Sequence, residues 1–270
     1  MKKTNLLFVT LTAAGISCGL TANAQVNSLW QKAKDKATQK AGDLMDKKTS
    51  QPQDTGIRKS SKLTINSGFD FIAGDSVIFS EDFGATADGS SAHSFKTNGS
   101  SSVVSLKEIG GKWMSLQDNA TYKLTKQLFY PRHFTLEFDI LAVADQVKDI
   151  YPVVAGFTKD NSVRDYNSGD GAYLDLKYYN DNDIDVNSSY VQKYLNTRLD
   201  LNVYANQKMH VSMVVDGERM VVYIDKTKLA DTQLFLADSP KNFYISGPMQ
   251  YHNGAKVLVS NFKIAVFKKG

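Results

Sequence analysis

From Leu63 onward, apolar and polar residues alternate in short runs with a period of two, the signature of half-buried strands. The clearest run is HVSMVVDGERMVVYID, His210 to Asp225, with Asp216-Gly217 between two apolar halves. An Asp-Gly pair there predicts a hairpin with a two-residue type I′ loop, because both central positions need positive φ. Pairing outward from Val215 opposite Glu218 puts Met209, Val211, Met213, Met220, Val222 and Ile224 on one face. His210, Ser212, Val214, Arg219, Val221 and Tyr223 fall on the other. A three-residue loop would mix the two sets, whereas a four-residue loop keeps them. The first face reads as core and the second as a mixed face open to water or a ligand.

The same texture recurs in DSVIFSEDF, SSVVSLKEI, KWMSLQ, ATYKLTKQL, HFTLEFDILAV, DIYPVVAGFT, GAYLDLKYY, RLDLNVY, KNFYISG and AKVLVSNFKIAVF. Turn pairs punctuate it at Asp88-Gly89, Asn98-Gly99, Gly110-Gly111, Gly247-Pro248 and Asn253-Gly254. No long helical pattern and no repeat intervenes. Many short strands within about 200 residues predict one all-β, two-sheet antiparallel sandwich or barrel over residues 63–270.

Upstream the pattern differs. VNSLWQKAKDKATQKAGDLMDKK places Leu29, Ala33, Ala37, Ala41 and Leu44 or Met45 at helical spacing, which predicts a basic amphipathic helix over 25–48. Its stripe is mostly Ala, so it reads either as a solvated helix or as one lying on a membrane surface or partner, anchored by Trp30 and lysines. Residues 49–62 have linker composition. Lys2-Lys3, an apolar stretch from Leu6 and the Ala22-Asn23-Ala24 site predict a secretory signal peptide over 1–24, hence export to periplasm, outer membrane or medium. No later window approaches the roughly 18 apolar residues of a membrane span.

Charge and cysteine then narrow the function. The chain carries +4 overall, yet residues 25–62 hold nine basic and four acidic side chains, and the body from Leu63 holds 21 basic and 24 acidic. The body is mildly acidic, which argues against nucleic acid as partner. Cys18 is the only cysteine and lies within the predicted signal, with Gly15 where a lipidation site needs a larger apolar residue. A mature chain starting at Gln25 would have no disulfide, no Cys-based zinc site and no thiol nucleophile.

Four segments carry a resemblance. FSEDFG (Phe79 to Gly84), FTLEFDIL (Phe134 to Leu141), the 210–225 hairpin followed by KTKLAD, and VLVSNFKIAVF (Val257 to Phe267) resemble, in order and spacing, strands of concanavalin A-like (laminin G-like) jelly rolls. The resemblance covers Ser76 to Phe267 and implies a jelly-roll sandwich. The signal, Lys/Ala-rich helix and jelly roll together resemble exported envelope proteins of Bacteroidetes-type bacteria, including outer-membrane-protein-A-type precursors. Their peptidoglycan-binding domain follows the jelly roll, and this sequence ends at Gly270, so that function is not expected of it.

Candidate chemistry is then tested residue by residue. Laminarinase-type glycosidases of this fold use Glu-x-Asp-x-x-Glu, whose two glutamates act as nucleophile and acid/base. Here Glu137 and Asp139 are present, but Ala142 replaces the second Glu and cannot move a proton. His93, His133, His210 and His252 show neither nucleophile-elbow context nor zinc spacing. No catalytic residue is therefore expected; an atypical glycoside hydrolase or lyase is the alternative. Asp181, Asp183 and Asp185 alternate as in a calcium loop, but Val186 and Gln192 stand where Gly and Glu are needed. The resemblance also implies a structural calcium, for which Glu81, Asp82 and Asn261 are the candidates; no other cofactor is expected. Tyr166, Tyr173, Tyr178, Tyr179, Tyr190 and Tyr194 crowd among Asp and Asn, a mix suited to stacking on sugars and bonding their hydroxyls. The expected ligand-binding residues are Tyr173, Tyr178, Tyr179, His210, Arg219 and Tyr223. The expected role is a non-catalytic envelope module that binds a glycan or an envelope protein, or a structural subunit with no small ligand.

Overall fold

The computed structural model describes residues 69–180 and 182–268. The predicted signal peptide, helix and linker lie outside the described residues, as do Asp181 and the last two positions.

The described chain forms the expected all-β, two-sheet antiparallel sandwich. Its strands are β1 (Ser76–Glu81), β2 (Phe95–Thr97), β3 (Ser101–Ser105), β4 (Lys112–Leu116), β5 (Thr121–Leu124), β6 (His133–Val143), β7 (Val153–Thr158) and β8 (Ala172–Lys177). They continue as β9 (Asp183–Ser188), β10 (Lys193–Arg198), β11 (Lys208–Asp216), β12 (Arg219–Ile224), β13 (Thr227–Gln233), β14 (Asn242–Ser246) and β15 (Lys256–Val266). The first sheet runs β13-β12-β11-β6-β15-β4-β3, with β1 also paired to β15. The second runs β10-β9-β8-β7-β14-β5-β2.

Period-two patterning settles which side chains turn inward. In β6, Phe134, Leu136, Phe138, Ile140 and Ala142 join the core, and Glu137 and Asp139 point away from it. In β8, Ala172, Leu174 and Leu176 are inward, while Tyr173, Asp175 and Lys177 are outward. Between the sheets the rings of Phe138 and Phe262 stack at 5.5 Å, and Phe243 of the second sheet lies 6.1 Å and 5.9 Å from them.

β15 keeps its core face only by changing parity. Ser260 pairs with Asp139 and Lys263 with Glu137, so Asn261 and Phe262 together oppose Phe138. Asn261 has φ 53°, a bulge conformation that Asn tolerates better than most residues. Without the extra residue Phe262 would point outward. With it, Val257, Val259, Phe262 and Ile264 all face the core.

The predicted hairpin forms with a different turn. Asp216 pairs with Arg219 and Val215 with Met220, so the loop is Gly217-Glu218 rather than Asp216-Gly217. Gly217 has φ 60° and Glu218 is not among the positive-φ residues, which fits a type II′ turn with glycine in first place. Each residue of β11 meets a partner two positions further along β12 than expected. A shift of two preserves both faces, and Val215 joins the core set.

Replacing Phe138 with Ala removes the ring that joins β6, β14 and β15. The protein should lose about 3–5 kcal/mol of stability, read as a lower urea midpoint at unchanged m-value.

Candidate functional site

The outer face of the first sheet holds His210, Arg219, Tyr223 and Asn261, and the structure shows each one held by the protein itself. His210 Nδ1 lies 2.7 Å from Asp139 Oδ1, and its Nε2 lies 3.5 Å from Glu137 Oε2. Lys208 and Lys263 each approach one of these carboxylates to 3.3 Å. Asn261 Nδ2 donates to Asp139 Oδ2 at 2.7 Å. The hydrogen bonds to Asp139 and Glu137 raise the His210 pKa to about 9. In return, the bond to His210 holds Glu137 below the usual carboxylate range. Burial opposes the same shift at Asp139, but His210, Asn261 and Lys208 outweigh it.

Further along this face, Phe69 to Gly74 lie across the sheet. Tyr223 donates its hydroxyl to Asp70 at 2.7 Å, and the rings of Phe69 and Phe71 stand edge-on to it at 5.5 and 5.8 Å. Lys228 closes on the other Asp70 oxygen at 2.6 Å, and Gly74 N donates to Thr135 Oγ1. Arg219 makes a two-point contact with Asp231, at 2.6 and 2.7 Å. The mixed face of the hairpin, expected to be open, is occupied by the chain's own segment and by ion pairs.

The calcium candidates are likewise engaged. Glu81 accepts from Phe83 N and from Ser94 Oγ, and Asp82 accepts from Gly84 N. Asn261 turns its amide to Asp139, and no group of three or more His, Cys, Asp or Glu that could hold a metal gathers among the described residues.

The second sheet is different. Its register lays out two transverse rows on the outer face. One row runs Tyr194, Asn187, Tyr173, Gly156, Tyr244 and Lys123; the next runs Asn196, Asp185, Asp175, Val154, Ser246 and Thr121. The loop of residues 159–171 covers the far half of both rows. Lys123 Nζ donates to Asp160 O, Tyr244 Oη to Asp170 O, and Asn167 N to Thr121 Oγ1. Tyr166 is anchored by its hydroxyl on Gly247 O. At Gly169 the loop meets the Tyr173 ring so closely that a Cβ would sit 2.8 Å from its Cζ, and its φ of 137° also favours glycine.

The near half stays open between that loop and the edge strand β10. Tyr194 is 70 % exposed there; Tyr173, Asp175, Lys177 and Asp185 are partly exposed and Asn187 is buried. Lys177 is bonded to Asp185, which also accepts from Asn196 Nδ2 at 2.8 Å. Asp175 has no such help: its Oδ1 is buried without a hydrogen-bond partner. Burial pushes its carboxyl up to about 7, with Lys177 opposing the shift and Asp185 adding to it.

The remaining tyrosines scatter. Tyr178 continues the inward parity of Ala172, Leu174 and Leu176 and is fully buried in the core, so it offers no stacking face to a ligand. That parity was readable in YLDLKYY. Tyr179 is exposed at the end of the sheet, stacked on Tyr151 at 5.8 Å, and Tyr190 packs on Phe235. Of the residues expected to bind a ligand, only Tyr173 lies in the open trough. Asp175, Asn187 and Tyr194 share it and were found by register rather than by residue type alone.

No protein-family model matches the chain, and no curated protein matches it. Among solved structures it is similar to arcelin-5, a lectin-like defence protein from Phaseolus vulgaris, at 11 % identity over 69 % of this chain and 96 % of that one, TM-score 0.49. It is also similar to the botulinum neurotoxin serotype D ligand-binding domain in complex with N-acetylneuraminic acid, at 15 % identity over 73 % and 48 %, TM-score 0.49. A sialidase matches at 15 % identity over 72 % and 19 %, TM-score 0.47. The chain spans about half the length of the toxin chains it matches. None of these likenesses bears on the residues of the trough.

Two pH responses follow. His210 is a base whose folded pKa is raised, so its stabilising contribution is full below about 6.5 and lost as pH rises through about 9. Thermal denaturation should show a stability loss between pH 7 and 9.5 that His210→Asn flattens. Asp175 is an acid whose folded pKa is raised, so it destabilises increasingly from about pH 3.8 to pH 7. Asp175→Asn should therefore raise Tm at pH 8 by roughly 2–6 °C, and leave it unchanged near pH 4.

Proposed function

We propose that this protein is a non-catalytic, exported binding module that recognises a glycan through the open half of the second sheet's outer face. The observation that carries the reading is the trough itself. Two tyrosine rings, Tyr173 and Tyr194, flank Asn187 in one row, and Asp175 and Asp185 stand in the next. Aromatic faces stack on the C–H surface of a sugar while carboxylates and amides take its hydroxyls, and this trough supplies both at strand spacing. The basic segment 25–48 would tether the module to an envelope surface.

The absence of catalysis in this reading is supported by β6. Its register with β11 is continuous from His133 to Leu141, without the bulge that would bring position 142 outward. Ala142 is therefore in the core, on the opposite side from Glu137 and Asp139. Those two carboxylates are held ionised by His210 and the lysines, leaving neither as a proton donor.

Binding on a glycan array, followed by calorimetry on the best oligosaccharide, tests the proposal. Tyr194→Ala should weaken binding roughly 3- to 10-fold, the equivalent of an aromatic contact of ~0.5–1.5 kcal/mol, with Tm unchanged because the ring is exposed. Tyr179→Ala, outside the trough, should bind as the parent does. Equal losses in the two variants would place the site elsewhere.

A further inference from the structure

The trough has one polar group that nothing in the fold satisfies. Lys177, the cation nearest to Asp175 on its own strand, is bonded to Asp185, and Arg198 at the sheet edge stands opposite Asp183. The cations near Asp175 are thus engaged by other carboxylates, and Lys177 offsets its charge only in part and without a hydrogen bond. Its Oδ1 is buried without a donor. An ionised carboxylate only accepts hydrogen bonds and this one is left with an unmade bond, so a hydroxyl donated to the carboxylate from the partly exposed side of the residue stabilises a charge that the fold itself does not. A ligand carrying its own carboxylate meets like charge at a site of low dielectric instead.

We infer that Asp175 makes the trough selective for uncharged, hydroxyl-rich sugar units and unfavourable to sugars that carry a carboxylate. The inference rests on the glycan reading above and adds the class of sugar to it. Asp175 is the specificity-determining residue; Tyr173 and Tyr194 supply stacking that does not distinguish charge.

The selectivity has a pH signature. The titratable groups facing Asp175 are Tyr173 and Lys177 on β8, Asp185 on β9, Tyr166 from the covering loop and Tyr244 on β14. β7 presents only Val154 to it. Burial raises the three tyrosines above their ordinary value, the Lys177–Asp185 bond holds that pair charged, and Asp175 is left as the group that titrates near 7. A hydroxyl donating to the ionised form binds more tightly as pH rises through 7. A sugar carboxylate binds less tightly over the same range.

An array printed in matched pairs reads both signs. Each neutral oligosaccharide stands beside the same oligosaccharide capped with N-acetylneuraminic acid, and β-glucan oligomers stand beside oligoguluronates. The full chain, at pH 5.5 and pH 8, should bind neutral members at least 10-fold more tightly than their charged partners at pH 8. The gap should narrow at pH 5.5, and Asp175→Asn should narrow it at both pH values. A charged member bound as tightly as its neutral partner at pH 8 overturns the inference and leaves the glycan reading standing. So does a gap that Asp175→Asn leaves unchanged. Silence at every spot from protein with an intact thermal transition overturns the glycan reading itself, and the inference with it.

Discussion

The stack of Phe138 on Phe262 is the contact on which both sheets depend. It sits at the pairing of β6 with β15 in the middle of the first sheet, and Phe243 of the second sheet packs against both rings. It exists only because β15 changes parity at Asn261. A bulge there distorts one short stretch of ladder and gains inward positions for Phe262 and Ile264, each worth roughly 1.5–3 kcal/mol of burial. The same bulge aims the Asn261 amide at Asp139. One local irregularity thus joins the core to the polar network on the outer side of the sheet.

That network explains why the first sheet closes its outer face. Glu137 and Asp139 point away from the core because alternation requires it, and each is then surrounded by His210, a lysine or Asn261. Phe69, Asp70 and Phe71 complete the cover over Tyr223. A sandwich has two outer faces, and here one is covered by its own chain. The second sheet is covered on one half only, by residues 159–171, and the boundary of that loop defines the trough.

Much of the fold was legible in the sequence because burial on one face imposes a period of two, and the period survives errors of register that are even. The hairpin shows this: its turn lies at Gly217-Glu218, one residue along from the expected pair, yet the core faces come out right. Signals were misread where a residue type was weighed without its parity. Tyr178 looked like a sugar platform by composition, although its position in phase with Leu174 and Leu176 points it inward. At Asn261 the bulge was itself legible, in the phase change from Val257 and Val259 to Phe262 and Ile264. Neither the cover over Tyr223 nor the trough at Asp175 could be read from the chain. Both depend on where segments distant in sequence come to lie, Asp70 on Tyr223 and residues 159–171 on β14 and β5.

Asp175 is where local consistency fails. Its polar neighbours Asp185 and Asn187 are hydrogen-bonded, and an Asn or Thr at that position would suit an outward strand site better than a buried carboxylate. A group that opposes folding above neutral pH and makes no hydrogen bond through one buried oxygen holds nothing together, which is the ground for the role proposed for it above. By contrast, Asp231 is bonded to Arg219, Asp70 to Lys228 and Asp185 to Lys177, and Glu137, whose Oε1 also lacks a hydrogen bond, has the Lys263 ammonium 3.3 Å away. The fold tolerates the misfit because the Phe138–Phe262 core lies on the other side of β8, where Leu174 and Leu176 pack independently of what Asp175 does. On the reading proposed above, stability and recognition fall on opposite faces of the same strand, one residue apart.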